Sequence, residues 1–351
     1  DNLGAALIAE IKGKNPDAEI AIIGGPKMES HGYKSLFAQK EIAVMGYIEV
    51  ISKIFKIRKL IRKTKDFLSE WKPDVYVAID SRGFNSRVIN HCKKSLNNTK
   101  YFNYVSPSIW AYRYKRIYDI KALFDHQFTL YPFEKRYYDE VDMPSTFIGH
   151  PLGYEKCFKN DTKKLQMAIL PGSRVQEIKT MLPIFIEASK LFCKNIGKEY
   201  KLCIITLPHL VDLIKGLTSE SDEIEVITEE KAVAKTVRDS AIILTKSGTV
   251  SLELMRYNTP MLVAHKVNSI TAFFVRRLLK VDYVSIGNLI ADKEIIPELL
   301  QEDCNSEKIA KTLAEVIDTK PHYDKYLKLL QNEKSITPEA RAFDVIFHGS
   351  K

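Results

Sequence analysis

Short runs of β-branched and other apolar residues alternate with stretches whose apolar positions recur every three or four residues, almost from end to end of the chain. The runs at 19–24, 74–79, 100–105, 126–131 and 145–149 predict strands, and those at 166–170, 201–206, 224–227, 241–245 and 260–265 predict five more. Helical spacing covers 3–13, 47–70, 86–96, 176–195, 249–257, 305–317 and 321–333. Strands that alternate with helices imply parallel sheets covered on both faces, an α/β architecture. The alternation pauses at 149–164, GHPLGYEKCFKNDTKK, where apolar residues thin out and Gly, Pro and Asp appear. Two doubly wound domains facing a cleft are therefore expected, 1–155 and 156–332, with a C-terminal helix in 333–351. In such sheets ligands sit beyond the carboxyl ends of the strands, so the residues just after each strand are the ones to inspect.

Length supports two cores: 351 residues exceed one typical domain of roughly 150. The excess of 53 Lys and Arg over 44 Asp and Glu gives +9, which favours an anionic partner. Nucleic acid, a phosphorylated small molecule and an acidic membrane surface all qualify, as does a merely solvated lysine-rich surface. Five scattered cysteines without CxxC spacing read as reduced thiols of a cytosolic protein, with neither a disulfide framework nor a zinc site. The eight histidines form no ligand-like cluster, so no metal site is expected. No apolar run approaches the ~20 residues of a membrane span. The chain opens on Asp-Asn and not Met, so the protein's own beginning is expected upstream.

Two strand–turn–helix junctions share one shape. In AIILTKSGTVSLELM (241–255) an apolar run stops at Lys246, Ser247-Gly248-Thr249 follows, and a helical pattern carrying Glu253 begins. Backbone N–H groups at a helix start favour an anion, Gly248 permits close approach, and Ser247 or Thr249 can cap or donate. The acid one turn on suits sugar hydroxyls; a plain N-cap and a surface glutamate explain the same residues. In MAILPGSRVQEI (167–178) the turn is Gly172-Ser173-Arg174, which adds a guanidinium able to fork onto a diphosphate. Its plain alternative is an arginine paired with Glu177. No GxxxxGK[ST] is present, which excludes a P-loop nucleotidase. In the first half Asp80 directly follows a strand in DVYVAIDSRGFN. It is a general-base candidate expected to be partly buried, or else a turn aspartate. NYVSPSIWAYRYKRI (103–117) offers Ser106, Trp110 and Arg113 for a sugar or an anion, or forms an aromatic lid. In YIEVISKIFKIRKLIRKTK (47–65) an apolar stripe runs beside seven Lys and Arg, with Ile48 and Phe55 off the stripe. Ile48, Lys53, Phe55, Lys56, Arg58, Lys59 and Arg62 would form a membrane-surface contact, or an ordinary solvated face.

Taken together these segments resemble the lipid-A-disaccharide synthases, inverting glycosyltransferases of the two-domain GT-B type. The resemblance runs nearly the whole length: IGGPKMES (23–30), KPDVYVAIDSRGFN (72–85), YVSPSIWAYR (104–113), YPFEK (131–135), FIGHPL (147–152), ILPGSRVQEI (169–178), SGTVSLE (247–253) and DYVSIGNLIADKEIIPELLQED (282–303). It implies two Rossmann-like domains, an N-terminal one for the acceptor and a C-terminal one for a UDP-sugar. It implies transfer of 2,3-diacylglucosamine from UDP to 2,3-diacylglucosamine 1-phosphate, giving the β-1,6 disaccharide of lipid A and UDP without a cofactor. Carried over residue by residue, Asp80 is the catalytic base and Arg174 the essential arginine. Gly172, Ser173, Ser247, Gly248, Thr249, Glu253 and Asn288 belong to the UDP site. Both substrates are amphiphiles, which implies peripheral attachment at the cytoplasmic face of an anionic membrane, with no nucleic acid partner. A homodimer that exchanges C-terminal segments is a further option.

Three departures from the family pattern matter. The usual IDAPDFN reads IDSRGFN, with Arg82 and Gly83 in place of Pro and Asp, which leaves Asp80 to carry any base role. YVSLPNLLAGR reads YVSIGNLIADK, and Gly287 with Asp292-Lys293 is expected to loosen that loop. The family's first strand and turn precede the position of Asp1, so the first strand of the N-terminal domain is expected to be absent here. Two other classes remain open: a UDP-sugar 2-epimerase of related fold, and a non-catalytic basic membrane- or nucleic-acid-binding protein.

Overall fold

The computed structural model describes residues 1–42, 47–158, 164–218, 224–267 and 281–349, with the side chains of 47–54 excluded. Residues 159–163 of the expected linker and 276–280 lie outside the described residues. The chain forms two compact units. One comprises Asp1–Pro151 with Leu330–Lys351, and the other Leu152–Leu329.

The first unit holds a parallel sheet of β1 (Val75–Ala78), β2 (Lys100–Asn103), β3 (His126–Thr129) and β4 (Ser145–Phe147), in that spatial order. Helices Asn2–Lys14, Tyr47–Trp71, Arg82–Cys92 and Arg116–Leu123 surround it. The C-terminal helix Pro338–His348 also belongs to this unit. Its Ala342 and Val345 are buried with Leu7, Phe102, Tyr104 and Phe128. The strand predicted at 19–24 does not form: only Ile22 pairs, in a single parallel bridge to Ser35. A cavity of about 180 Å³, lined by Ile22, Ile23, Val75 and Val77 among others, separates that segment from β1. A strand needs a ladder partner, and an apolar run alone does not supply one.

The second unit holds a six-stranded parallel sheet in the order β10-β9-β8-β5-β6-β7. Its strands are β5 (Lys164–Leu170), β6 (Lys201–Ile205), β7 (Ile224–Ile227), β8 (Ser240–Lys246), β9 (Met261–His265) and β10 (Glu298–Leu300). The central strands are nearly continuous apolar runs because helices cover both faces. Met167, Ile169, Ile242, Leu244 and Leu262 pack with Ile178, Phe185 and Phe192 of helix Val175–Ile196, and with Ile309 and Leu313 of helix Ser306–Val316. The chain leaves β5 through β6 and β7 to one side, then returns through β8, β9 and β10 on the other. The order therefore reverses between β5 and β8, the switch point at which open α/β sheets bind ligands.

Two helix expectations change. The pattern at 249–257 is a short helix, Val250–Leu254, followed by the 3₁₀ turn Met255–Tyr257. The pattern at 321–333 breaks into Asp324–Leu327 and Lys328–Leu330. Asn258, in the left-handed region at φ 47°, ends the 3₁₀ turn Met255–Tyr257, and its side chain accepts from the Tyr323 N–H.

Candidate functional site

In the second unit, parallel pairing sets Leu170 opposite Thr245, so the turns that follow β5 and β8 lie side by side. Gly172 adopts φ 122°, and a Cβ there would stand 2.7 Å from Glu177 Oε2. Only glycine fits that approach. Glu177 joins the two turns: Lys246 Nζ donates to Oε1 at 3.0 Å, Arg174 Nη1 donates to the same oxygen at 2.8 Å, and the Ser173 N–H donates to Oε2 at 3.1 Å. Burial opposes ionisation of Glu177, but Lys246, the Ser173 N–H and Arg174 outweigh it and hold its carboxyl below the usual range. Burial, then Lys246, pushes the neighbouring His265 down to about 4.

Arg174 thus forms the expected pair with Glu177, yet its side chain is 77% exposed, and pairs of that kind contribute little stability. The guanidinium remains presented at the turn. Ser247 is buried, whereas Gly248 and Thr249 are exposed, and no atom lies within 4 Å of where a Gly248 Cβ would be. The helix beyond them is too short to supply a large dipole, which weakens that part of the anion argument. Glu253 is solvent-accessible. Desolvation by surrounding protein, then the Glu155 charge, raises its carboxyl above the usual range.

Asn288 requires correction as a direct nucleotide contact. It is fully buried: its amide donates to Ile296 O and Glu298 Oε1, and its Oδ1 accepts from the Ile295 and Ile296 N–H groups. With each amide hydrogen and lone pair engaged, the side chain organises the loop and offers nothing to a ligand. Gly287 does not loosen this loop either. A Cβ there would stand 2.7 Å from Met255 Sδ, so glycine lets helix Ile286–Ala291 pack closely.

In the first unit, Asp80 follows β1 in a left-handed conformation, φ 54°, with Ser81 also left-handed at φ 44°. Two such non-glycine residues in succession are strained and turn the chain sharply into helix Arg82–Cys92. Asn85 Nδ2 donates to Asp80 O, and Tyr76 donates its hydroxyl to Asn85 Oδ1 at 2.7 Å. These bonds hold the turn and leave the Asp80 side chain exposed, in place of the partial burial expected.

Ser106 and Trp110 are buried as part of the domain and do not face solvent, so the lid alternative describes them better than direct ligand contact. Ser106 Oγ shares a 2.7 Å hydrogen bond with the Tyr138 hydroxyl, and Trp110 Nε1 donates to Glu134 Oε1 at 3.3 Å. Arg113 is exposed, with φ 55° and its guanidinium 5.9 Å from the Tyr112 ring centre. Glu134 is the residue the sequence reading missed. Its Oε2 accepts from the Leu130 and Tyr131 N–H groups, and burial lifts its carboxyl to about 7. The YPFEK motif contains it but gives no sign that an acid there is buried. Lys246 is equally unmarked in the sequence, where it only ends an apolar run.

On helix Tyr47–Trp71, Leu60, Ile61, Thr64 and Leu68 are buried, while Phe55 is 77% exposed among Lys56, Arg58, Lys59 and Arg62. Lys56 Nζ lies 2.9 Å from Glu41 Oε2. Ile48 and Lys53 lie outside the residues whose side chains are described. Among the described residues no helix is long and apolar enough to cross a membrane, and no group of three or more His, Cys, Asp or Glu gathers as metal ligands do.

Against known proteins, a family model described as lipid-A-disaccharide synthetase matches residues 1–343. The lipid-A-disaccharide synthase of Vibrio parahaemolyticus is 34% identical over 343 residues, covering 94% of this chain and 90% of that protein. That of Granulibacter bethesdensis is 34% identical over 334 residues, covering 92% and 84%. Among solved structures, the UDP-GlcNAc 2-epimerase of Methanocaldococcus jannaschii in complex with UDP-GlcNAc and UDP aligns with a TM-score of 0.63 at 13% identity, over 98% of this chain and 96% of that one. The glycotransferase of kitacinnamycin aligns at 0.61 and 14%, over 99% and 95%. At such identities these two likenesses establish the two-domain GT-B fold alone.

Proposed function

Because this chain belongs to the lipid-A-disaccharide synthase family, and is therefore a glycosyltransferase, we propose that it moves a 2,3-diacylglucosamine from UDP onto the 6-hydroxyl of 2,3-diacylglucosamine 1-phosphate. The observation that carries the donor half is the pair of turns at 172–174 and 247–249, adjacent at the switch point of the second sheet and tied by Lys246 and Glu177. Arg174 and the exposed backbone at Gly248 hold the diphosphate, and Glu253 accepts from the ribose hydroxyls. A structural neighbour of the same fold is a complex with UDP-GlcNAc and UDP, which supports a UDP-sugar as the donor.

The first unit serves the acceptor. Asp80 takes the proton from the attacking hydroxyl as its oxygen bonds to the anomeric carbon. The bond from that carbon to the diphosphate breaks, and the electron pair leaves with UDP. Attack opposite the leaving group inverts the anomeric centre. Arg174 stabilises charge on the departing diphosphate, a role in which one well-placed donor is worth about a hundredfold in rate. Exposed Phe55 and its basic neighbours hold the enzyme on an anionic bilayer on the cytoplasmic side, where both amphiphilic substrates lie.

Titration with UDP tests the donor site. Wild type binds, and Arg174→Ala weakens binding about tenfold, the loss of one charge-assisted hydrogen bond. Equal affinity in the two would remove Arg174 from the site.

A further inference from the structure

Between helices Arg82–Cys92 and Arg116–Leu123 lies a groove of about 550 Å³ that the transfer chemistry above does not use. One wall presents Arg82, Ser86 and Asn90, spaced four residues apart and so on one helix face, with Arg87 beside them. The other wall presents Arg116 and Asp119. Three guanidiniums thus face a single carboxylate, which leaves two positive charges uncompensated. That carboxylate is a weak competitor: Asp119 is 70% exposed and meets Arg82 through one contact of 3.0 Å. Arg87 donates one Nη1–H to Gly83 O and Arg116 lies over the Tyr112 ring at 5.5 Å, but among the described residues neither forms an ion pair.

We propose that this groove is an anion subsite that holds the phosphate monoester of the acceptor. Arginine forks match the oxygens of a phosphate, and the Ser86 hydroxyl and Asn90 amide supply neutral donors within the same walls. The groove opens where β1 ends. Arg82, which lines the groove, stands two residues after Asp80 in the chain, and the proposal places the acceptor's phosphate on the groove and its attacking hydroxyl at Asp80. The inference rests on the proposed transferase reading and deepens it by placing the acceptor's charged end.

The test compares two acceptors, 2,3-diacylglucosamine 1-phosphate and its dephosphorylated counterpart. It uses wild type, Arg87→Gln, and a triple variant with Arg82→Gln, Arg87→Gln and Arg116→Gln. In wild type the phosphate lowers the acceptor KM. Arg87→Gln raises the KM of the phosphorylated acceptor about tenfold. The triple variant abolishes discrimination between the two acceptors, and the KM for the UDP-sugar stays in place. A triple variant that folds and still prefers the phosphorylated acceptor overturns the proposal.

Titration with glucosamine 1-phosphate, read by chemical shift, needs no turnover. Binding by wild type that weakens in Arg87→Gln and is lost in the triple variant supports the subsite even where transfer fails, in which case only the transferase reading falls. Absence of binding in wild type overturns the subsite. Sedimentation with anionic vesicles separates the remaining source. Loss of vesicle binding in the triple variant, with acceptor discrimination intact, would make the groove a lipid-headgroup contact and overturn the assignment to the acceptor.

Discussion

Glu134 shows what a single buried acid does to this molecule. Its carboxyl is buried against Trp110 and two backbone N–H groups and titrates near 7, above the 4.5 of a free glutamate. A raised acid pKa means the folded state binds the proton more tightly. The contribution to stability is complete below about 4.5 and is lost as pH rises through about 7. Relative to Glu134→Gln, wild type should lose roughly 3 kcal/mol over that window, a figure that follows from the shift itself. Urea titrations of both proteins at the two ends of the window would show it, and parallel profiles would deny it. Lys246 invites a different test. Lys246→Met leaves Glu177 without its closest buried cation and should cost about 1–2 kcal/mol. Adding Glu177→Gln should restore most of that loss, because the uncompensated charge goes with it. Simple additivity of the two losses would mean the tie between the turns is not energetic. The residues quoted as motifs were legible because they sit in unusual local combinations. Glu134 and Lys246 were not, since their importance comes from burial and from neighbours about 70 residues away or contributed by another loop.

At the scale of elements, periodicity located both sheets, because strands buried on two faces are nearly pure apolar runs, except for the edge strand β10, whose three residues are only half-buried. It failed where pairing, and not hydrophobicity, decides the outcome. The 19–24 run has the composition of a strand but one bridge partner. The 321–333 run has helical spacing but breaks after four residues. Helix Glu230–Asp239 went unpredicted because only Val237 is buried in it. The helix Tyr47–Trp71 was legible as amphipathic, and its exposed face carries a prediction. Changing Lys56, Arg58, Lys59 and Arg62 to Gln, with Phe55→Ser, should abolish sedimentation with anionic vesicles at low salt. Stability should move by no more than about 0.5 kcal/mol, since these side chains are on the surface. Undiminished vesicle binding would make the face an ordinary solvated one.

Over the whole molecule, one chain folds into two units, each built on a parallel sheet. The second unit's strand order reverses between β5 and β8, and the two glycine turns meet there. Each turn by itself was legible, because a strand end followed by a helix start carries its own signature. The adjacency of β5 and β8 was not legible, since 69 residues lie between Leu170 and Ser240 and nothing local encodes their pairing. The first unit ends β1 in two strained residues that present Asp80. Transfer in this enzyme therefore depends on the exposed Asp80 carboxylate at that turn taking the acceptor's proton, as proposed above. The most direct measurement is UDP release from UDP-2,3-diacylglucosamine, with and without 2,3-diacylglucosamine 1-phosphate, by wild type and Asp80→Asn. The account predicts release that requires the acceptor and falls about a hundredfold or more in the variant, with UDP affinity unchanged. Acceptor-dependent release at the wild-type rate by Asp80→Asn would contradict it.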